Sequence, residues 1–81
     1  MTGVEERLRR CFTAAFPDLA PKRIEDASVE TVEEWDSLHT VVLVALVEEA
    51  FAIRIPAHAY PQLRSRAAIM TYLEGVTPEG H

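Results

Sequence analysis

Residues 36–51 have the sequence DSLHTVVLVALVEEAF, which combines a capping residue with a long apolar run. Asp36 is a good helix N-cap, because its carboxylate can accept hydrogen bonds from the unpaired backbone N–H groups of a first turn. From there on, apolar residues recur at spacings of three and four, which is the period of an α-helix. The pattern predicts a helix that begins at Asp36 and ends near Ala52.

Two apolar stripes run along this predicted helix, and they compete for the core. The first stripe stays apolar to the end of the helix, so we assign it to the core. Its members are Thr40, Leu43, Val44, Val47 and Phe51. The second stripe runs into a pair of acids, and we assign it, with those acids, to an exposed partner-docking face. Its members are Leu38, Val41, Val42 and Ala45, followed by Glu48 and Glu49. Because the helix is apolar all round, the reverse arrangement stays open at this point.

The beginning of the chain predicts another helix. Thr2 followed by Glu5 has the form of a capping box, and apolar residues at helical spacing come after it. They are Val4, Leu8, Cys11, Phe12, Ala15 and Phe16. Pro17 disfavours the helical conformation in the residue before it, so we expect the helix to stop there and a long connection to lead to Asp36.

Weaker signals describe the two connections. In the first connection, three apolar residues should contact the core: Ile24, Val29 and Val32. Thr31 followed by Glu34 has the spacing that caps a single short turn. In the second connection, Pro56 and Pro61 bracket a segment with room for at most one short helical turn.

The last helix follows from a cap and a stop signal. Ser65 is a suitable N-cap, and the apolar residues after it are followed by Gly75, where we expect the helix to end. The sequence therefore predicts an all-α fold, a small bundle of three to four helices. We expect one domain over residues 1–75 and a flexible tail over residues 76–81.

Length and composition limit what the protein can do. A chain of 81 residues forms one modest core, and a domain of this size leaves roughly 40% of its unfolded-chain surface exposed, which favours a surface function over a deep active site. Cys11 is the only cysteine, which excludes an intrachain disulfide and fits a reduced, cytoplasmic setting. No apolar run is long enough to span a membrane, and we find no targeting segment.

The charge is divided unevenly along the chain. Residues 24–53 carry eight acids and no Lys or Arg, so this section has a charge of −8 against +3 for the remainder. The phosphates of a nucleic acid would be repelled by the acidic section. A basic protein surface is the partner that this charge favours.

Ser37 is the strongest candidate for a functional residue. It lies in the first turn of the predicted helix, where unpaired N–H groups and the positive end of the helix dipole favour a negative group. A phosphodiester on its hydroxyl would be well placed there, and the neighbouring Asp36 carboxylate would suit a modifying enzyme that holds Mg²⁺. An Asp-Ser pair is also common at helix starts for capping alone, so the residues by themselves leave a structural role open.

Residues 36–51, together with Ile55, Pro56 and the stretch 67–73, resemble the signature of acyl carrier proteins. In that family an Asp-Ser-Leu begins the second helix, and an apolar run ends in paired acids and Phe. An Ile-Pro then closes the segment, and a final helix carries Ala-Ala-Ile-x-x-Tyr/Phe-Leu. The resemblance covers nearly the whole chain.

The resemblance implies a carrier with a 4'-phosphopantetheine arm on Ser37, which a phosphopantetheinyl transferase takes from coenzyme A. It implies that the chain is not itself an enzyme, but holds an acyl or aminoacyl thioester for others. Its partners would be a loading ligase or transferase and a downstream synthase or transferase. We expect a cytoplasmic monomer without a metal site. The capped start at Thr2 and the short tail favour a free-standing protein, and docking to a larger synthase stays open.

Some residues depart from the pattern of carriers in housekeeping fatty acid synthesis. Trp35 stands where those carriers usually have a small residue, His39 and Val42 replace acids, and residues 57–61 are not acidic. Arg66 takes the place of an apolar residue. Trp-Asp-Ser-Leu is similar to stand-alone carriers of polyketide, nonribosomal peptide, lipid or D-alanyl pathways. The cargo stays open.

Other interpretations are weaker. A helical interaction module that is never loaded would keep the same fold and bind through the acidic and apolar face. A small enzyme is disfavoured, because the acids and histidines do not converge on a nucleophile. We interpret Cys11 as a small buried apolar residue, Trp35 as a packing residue, and His39 as a solvated side chain.

Overall fold

The computed structural model describes residues 3–76, and these contain three α-helices and two 3₁₀ segments but no β-strand. The helices are α1 (Gly3–Ala15), α2 (Ser37–Phe51) and α3 (Arg66–Val76), and the 3₁₀ segments are Pro21–Arg23 and Ala57–Gln62. The predicted small all-α bundle is confirmed. The predicted cap at Thr2 and residues 77–81 of the predicted tail lie outside the described residues.

The bounds of α2 agree with the prediction from its capping residues. Asp36 is the N-cap, and its side chain accepts a hydrogen bond from the backbone N–H of His39. At the other end, Ala52 adopts the left-handed conformation with φ 55° and ψ 46°. The N–H groups of Ala52 and Ile53 both donate to the carbonyl of Glu48, so the helix ends in a Schellman-type arrangement.

The core lies where the three α-helices and the two connections between them meet. On α2 the first stripe is buried, apart from the half-buried Thr40, and the second stripe faces water, so the prediction of which stripe is buried and which is exposed is confirmed. The buried apolar side chains of α1 and α2 are Leu8, Cys11, Phe12, Ala15, Leu43, Val44, Val47 and Phe51. Each helix therefore contributes one stripe of residues three or four apart to a shared core.

The first connection packs against the core through the residues that the sequence predicted. Ile24 and Val32 are buried, and Val29 is half-buried against the core. The prediction that Thr31 caps a helical turn is wrong. Its hydroxyl instead accepts a hydrogen bond from the Ser28 N–H at 3.0 Å, within a series of tight turns.

A short two-rung bridge joins this connection to the start of α3. The Val29 N–H donates to the Arg64 carbonyl at 2.9 Å, and the Arg66 N–H donates to the Ala27 carbonyl at 2.9 Å. Ala27 is itself buried. The bridge fixes the backbone on both sides of Ser65, which is far from the connection in sequence.

The last helix begins as predicted and ends later than predicted. The Ser65 hydroxyl accepts a hydrogen bond from the Ala68 N–H at 3.0 Å, so Ser65 is the expected cap. The helix does not stop before Gly75 but continues to Val76. Gly75 lacks the positive φ of a glycine stop, and the predicted tail therefore loses its first residue, Val76, to α3.

The 3₁₀ segment Ala57–Gln62 is longer than the single turn predicted between its prolines. The Pro56 carbonyl accepts a hydrogen bond from the Ala59 N–H at 3.0 Å, and a second turn closes on the Leu63 N–H at 2.9 Å. Pro61 has no N–H to donate, but it lies between these two bonds and interrupts neither. The proline is thus accommodated inside the segment.

Candidate functional site

Ser37 is the first residue of α2 and is exposed to solvent. Its hydroxyl makes no hydrogen bond to any of residues 3–76. The backbone N–H groups of Ser37 and Leu38 are unpaired within the helix, and the positive end of the helix dipole lies at this turn. An anionic ester formed at this oxygen would be stabilised by the helix end.

Asp36 is held in place by the turn that it caps. Its Oδ1 accepts hydrogen bonds from the His39 backbone N–H at 2.9 Å and from the His39 ring, whose Nδ1 lies 2.9 Å away. The backbone bond, followed by the ring bond, lowers the pKa of the Asp36 carboxyl below its ordinary value. The carboxylate is therefore the stable form next to Ser37.

His39 is more constrained than the sequence analysis predicted. Besides its bond to Asp36, its ring stacks on the ring of Phe16 with the centroids 5.4 Å apart and the planes 18° apart. The interpretation of His39 as a solvated side chain is therefore wrong. Its spacing of three from Asp36 was a usable signal, but the contact with Phe16 arises only when α1 packs beside α2.

Trp35, the residue before the cap, packs into the core, as predicted. The side chain is 4% exposed, and its ring packs edge-on against Phe12 at a centroid distance of 5.5 Å. Its Nε1–H donates to the Thr40 hydroxyl at 3.0 Å, and this hydroxyl donates to the Asp36 carbonyl at 3.0 Å. The hydrogen bonds connect the core to the turn that presents Ser37.

A groove of about 610 Å³ adjoins Ser37. Its walls come from the start of α2, the first connection, the 3₁₀ segment Ala57–Gln62 and the residues just before α3. The lining is mostly apolar, with polar groups from Asp36, Ser37, Thr40, Tyr60 and Arg64. Local sequence signals do not predict this groove, because its walls come from residues 29–41 and 57–64, which are distant in the chain.

The face of α2 below Ser37 is apolar and exposed. Leu38 is 67% exposed, Val41 50% and Val42 40%, and Ala45 also faces solvent. We call these four residues the α2 strip. Large apolar side chains that stand together on a surface are typical of binding sites, whereas single ones are ordinary.

The two acids at the end of the α2 strip differ in their surroundings. Glu49 is exposed, as expected for a docking residue. Glu48 is half-buried, and its Oε2 accepts a hydrogen bond from the Ile55 N–H at 2.7 Å. Glu48 therefore also stabilises the chain after α2, a structural role that the sequence analysis missed.

Among residues 3–76, the remaining candidates show no further site. Cys11 is buried in the core, as predicted, and burial raises the pKa of its thiol. Residues 3–76 contain no group of three or more His, Cys, Asp or Glu side chains that would hold a metal ion. None of the helices in that range has the length and apolar character needed to cross a membrane.

Comparisons with family models, with curated proteins and with solved structures give no significant match to this chain.

Proposed function

We propose that this protein is a carrier, with a phosphopantetheine arm on Ser37 that holds an acyl or aminoacyl thioester for partner enzymes. The observation that carries the proposal is the Ser37 hydroxyl, exposed and without a hydrogen bond to residues 3–76, at the first turn of a helix and at the edge of a groove. This is what a transferase needs, because it must reach the hydroxyl and leave an anionic phosphodiester on it.

The residues around Ser37 fit such an arm. The N–H groups at the start of α2 would stabilise its phosphate, and the groove has room for a chain that leaves the serine oxygen. Loading would form a bond between the Ser37 oxygen and the phosphorus of coenzyme A that carries the pantetheine. The pyrophosphate P–O bond of coenzyme A would break, so that adenosine 3',5'-bisphosphate leaves, and a base of the transferase would take the hydroxyl proton. The thiol of the arm supplies the thioester linkage, and the protein tethers the intermediate at high effective concentration.

The α2 strip supports a docking role next to the loaded serine. Its apolar residues lie between Ser37 and the exposed acid Glu49, and the preceding connection is also acidic. A partner that fits this face has an apolar contact surface with a basic rim. The apolar character beneath Ser37 favours a partner from a specialised pathway over one from housekeeping fatty acid synthesis.

Intact-mass measurement tests the proposal directly. After co-expression with a promiscuous phosphopantetheinyl transferase, the wild-type chain should gain the mass of one arm, and Ser37→Ala should gain none. Ser28→Ala is the matched control, because Ser28 lies in a turn rather than at a helix start. This variant should gain the mass of one arm, like the wild type. A wild-type chain that stays unmodified would contradict the carrier function and favour a non-loaded interaction module.

A further inference from the structure

Arg64 places a cationic side chain in the wall of the groove that begins at Ser37. The side chain is exposed and makes no hydrogen bond or ion pair with any of residues 3–76. The acidic section of the chain, residues 24–53, contributes no Lys or Arg. Arg64 is the one cation among the residues that line the groove.

The backbone at Arg64 is held by the first connection on one side and by the start of α3 on the other. Its carbonyl accepts the Val29 N–H at 2.9 Å, which ties it to the first connection. The next residue, Ser65, caps α3 through the Ala68 N–H at 3.0 Å. The backbone of Arg64 is therefore fixed, and binding an anion would restrict only its side chain.

Within the groove, the charge of Arg64 is not neutralised by an acid. Asp36 is the one carboxylate in the lining, and its Oδ1 is engaged by His39 at 2.9 Å. Guanidinium groups bind phosphate and carboxylate oxygens with two parallel N–H bonds. An oxyanion brought into this groove would find Arg64 available for such a pair.

We infer that Arg64 pairs with an oxyanion carried on Ser37 and so holds the arm along the groove. The inference rests on the proposed carrier function. The oxyanion is the phosphodiester of the arm or a carboxylate at the end of the cargo, and both present the same chemistry to the guanidinium. Arg64 is a binding residue for the arm, since the groove brings it to the side of α2 on which Ser37 lies.

NMR of the loaded protein tests this inference without reference to any partner enzyme. The guanidinium Nε–H signal of Arg64 is followed in the unloaded, arm-loaded, acetyl-loaded and malonyl-loaded forms, and phosphorus relaxation reports the mobility of the arm. We expect Arg64→Gln to reduce the population of the docked arm roughly two- to fivefold, the range for an exposed ion pair. Arg64→Lys keeps the charge but loses the paired N–H geometry, and it should show an intermediate effect.

Arg54→Gln is the matched control, because Arg54 is an exposed arginine outside the lining of the groove. It should leave the mobility of the arm unchanged. A shift of the Arg64 signal in the arm-loaded form identifies the phosphodiester as the partner, and a shift in the malonyl form alone identifies the cargo carboxylate. An Arg64 signal that is the same in all four forms, with loading verified by mass, would overturn the inference and leave the carrier function standing. Absence of loading would overturn both.

Discussion

Replacement of Trp35 by phenylalanine should destabilise the domain, because Trp35 is a core residue. Trp35 is 4% exposed, and its ring contacts Phe12 and Phe16 at centroid distances of 5.5 and 5.7 Å. Its Nε1–H also donates to the Thr40 hydroxyl at 3.0 Å. The smaller ring keeps the aromatic contacts in part, loses this hydrogen bond, and leaves a space in the core.

The magnitude follows from these two losses. A neutral hydrogen bond contributes about 0.5–1.5 kcal/mol to stability. The Thr40 hydroxyl keeps its bond to the Asp36 carbonyl at 3.0 Å, so no buried group is left without a partner. The cavity left by the missing part of the Trp35 ring costs about 1 kcal/mol more. We expect Trp35→Phe to lower the free energy of unfolding by about 2 kcal/mol, and Trp35→Ala by about 3–5 kcal/mol.

Urea denaturation followed by far-UV circular dichroism measures this loss. Fluorescence is unsuitable, because Trp35 is the only tryptophan. In thermal unfolding, the loss of about 2 kcal/mol expected for Trp35→Phe corresponds to a Tm lowered by about 8–16 °C for a domain of this length. Leu38→Ala is the control: Leu38 is 67% exposed, and its truncation should change the free energy of unfolding by less than about 0.5 kcal/mol. If Trp35→Ala costs no more than Leu38→Ala, Trp35 does not anchor the core.

Three further predictions concern α2. Val42→Glu should alter partner binding and leave the free energy of unfolding, measured by urea denaturation, within about 0.5 kcal/mol of wild type. Val47 is 1% exposed, so Val47→Glu should prevent folding or lower the free energy of unfolding by several kcal/mol. Similar losses in the two variants would contradict the assignment of the buried and exposed faces of α2. Asp36→Asn should change the pH dependence of stability, because the lowered pKa of folded Asp36 stabilises the wild type fully above the unfolded-state pKa and this contribution is lost as the pH falls through the folded-state pKa. The difference in the free energy of unfolding between wild type and variant should therefore shrink in acid. A difference that is constant with pH would show that the ionisation of Asp36 does not contribute to stability. Ala52→Gly should raise the free energy of unfolding by up to about 1 kcal/mol, because Ala52 has φ 55° and glycine adopts this conformation without a Cβ penalty. A lower free energy of unfolding in the variant would contradict this prediction and show that the greater entropy of glycine in the unfolded chain outweighs the relief of strain.

Local signals in the sequence predicted much of the fold and part of the site. The cap at Asp36 and the stop near Ala52 depend on hydrogen bonds within a few residues, so the bounds of α2 could be read from the sequence. The end of α3 was predicted too early, because Gly75 has no positive φ and acts as an ordinary helical residue. A glycine is compatible with a helix end but does not require one.

Sequence periodicity also predicted which stripe of α2 is buried, since the residues that share a helix face recur every three or four positions. It did not predict the neighbours of the exposed face. His39 stacks on Phe16 because α1 ends beside the start of α2, and this contact joins residues that are far apart in the chain.

Local sequence patterns are therefore enough to predict a small all-α domain in which Ser37 lies at the start of a capped helix. Those features depend on short-range hydrogen bonds and on the spacing of apolar residues. The groove next to Ser37, with Arg64 in its wall, arises from the packing of segments that are distant in the chain. The walls come from two stretches of the chain, residues 29–41 and 57–64, and the bridge between Val29 and Arg64 forms only when the core has brought these stretches together.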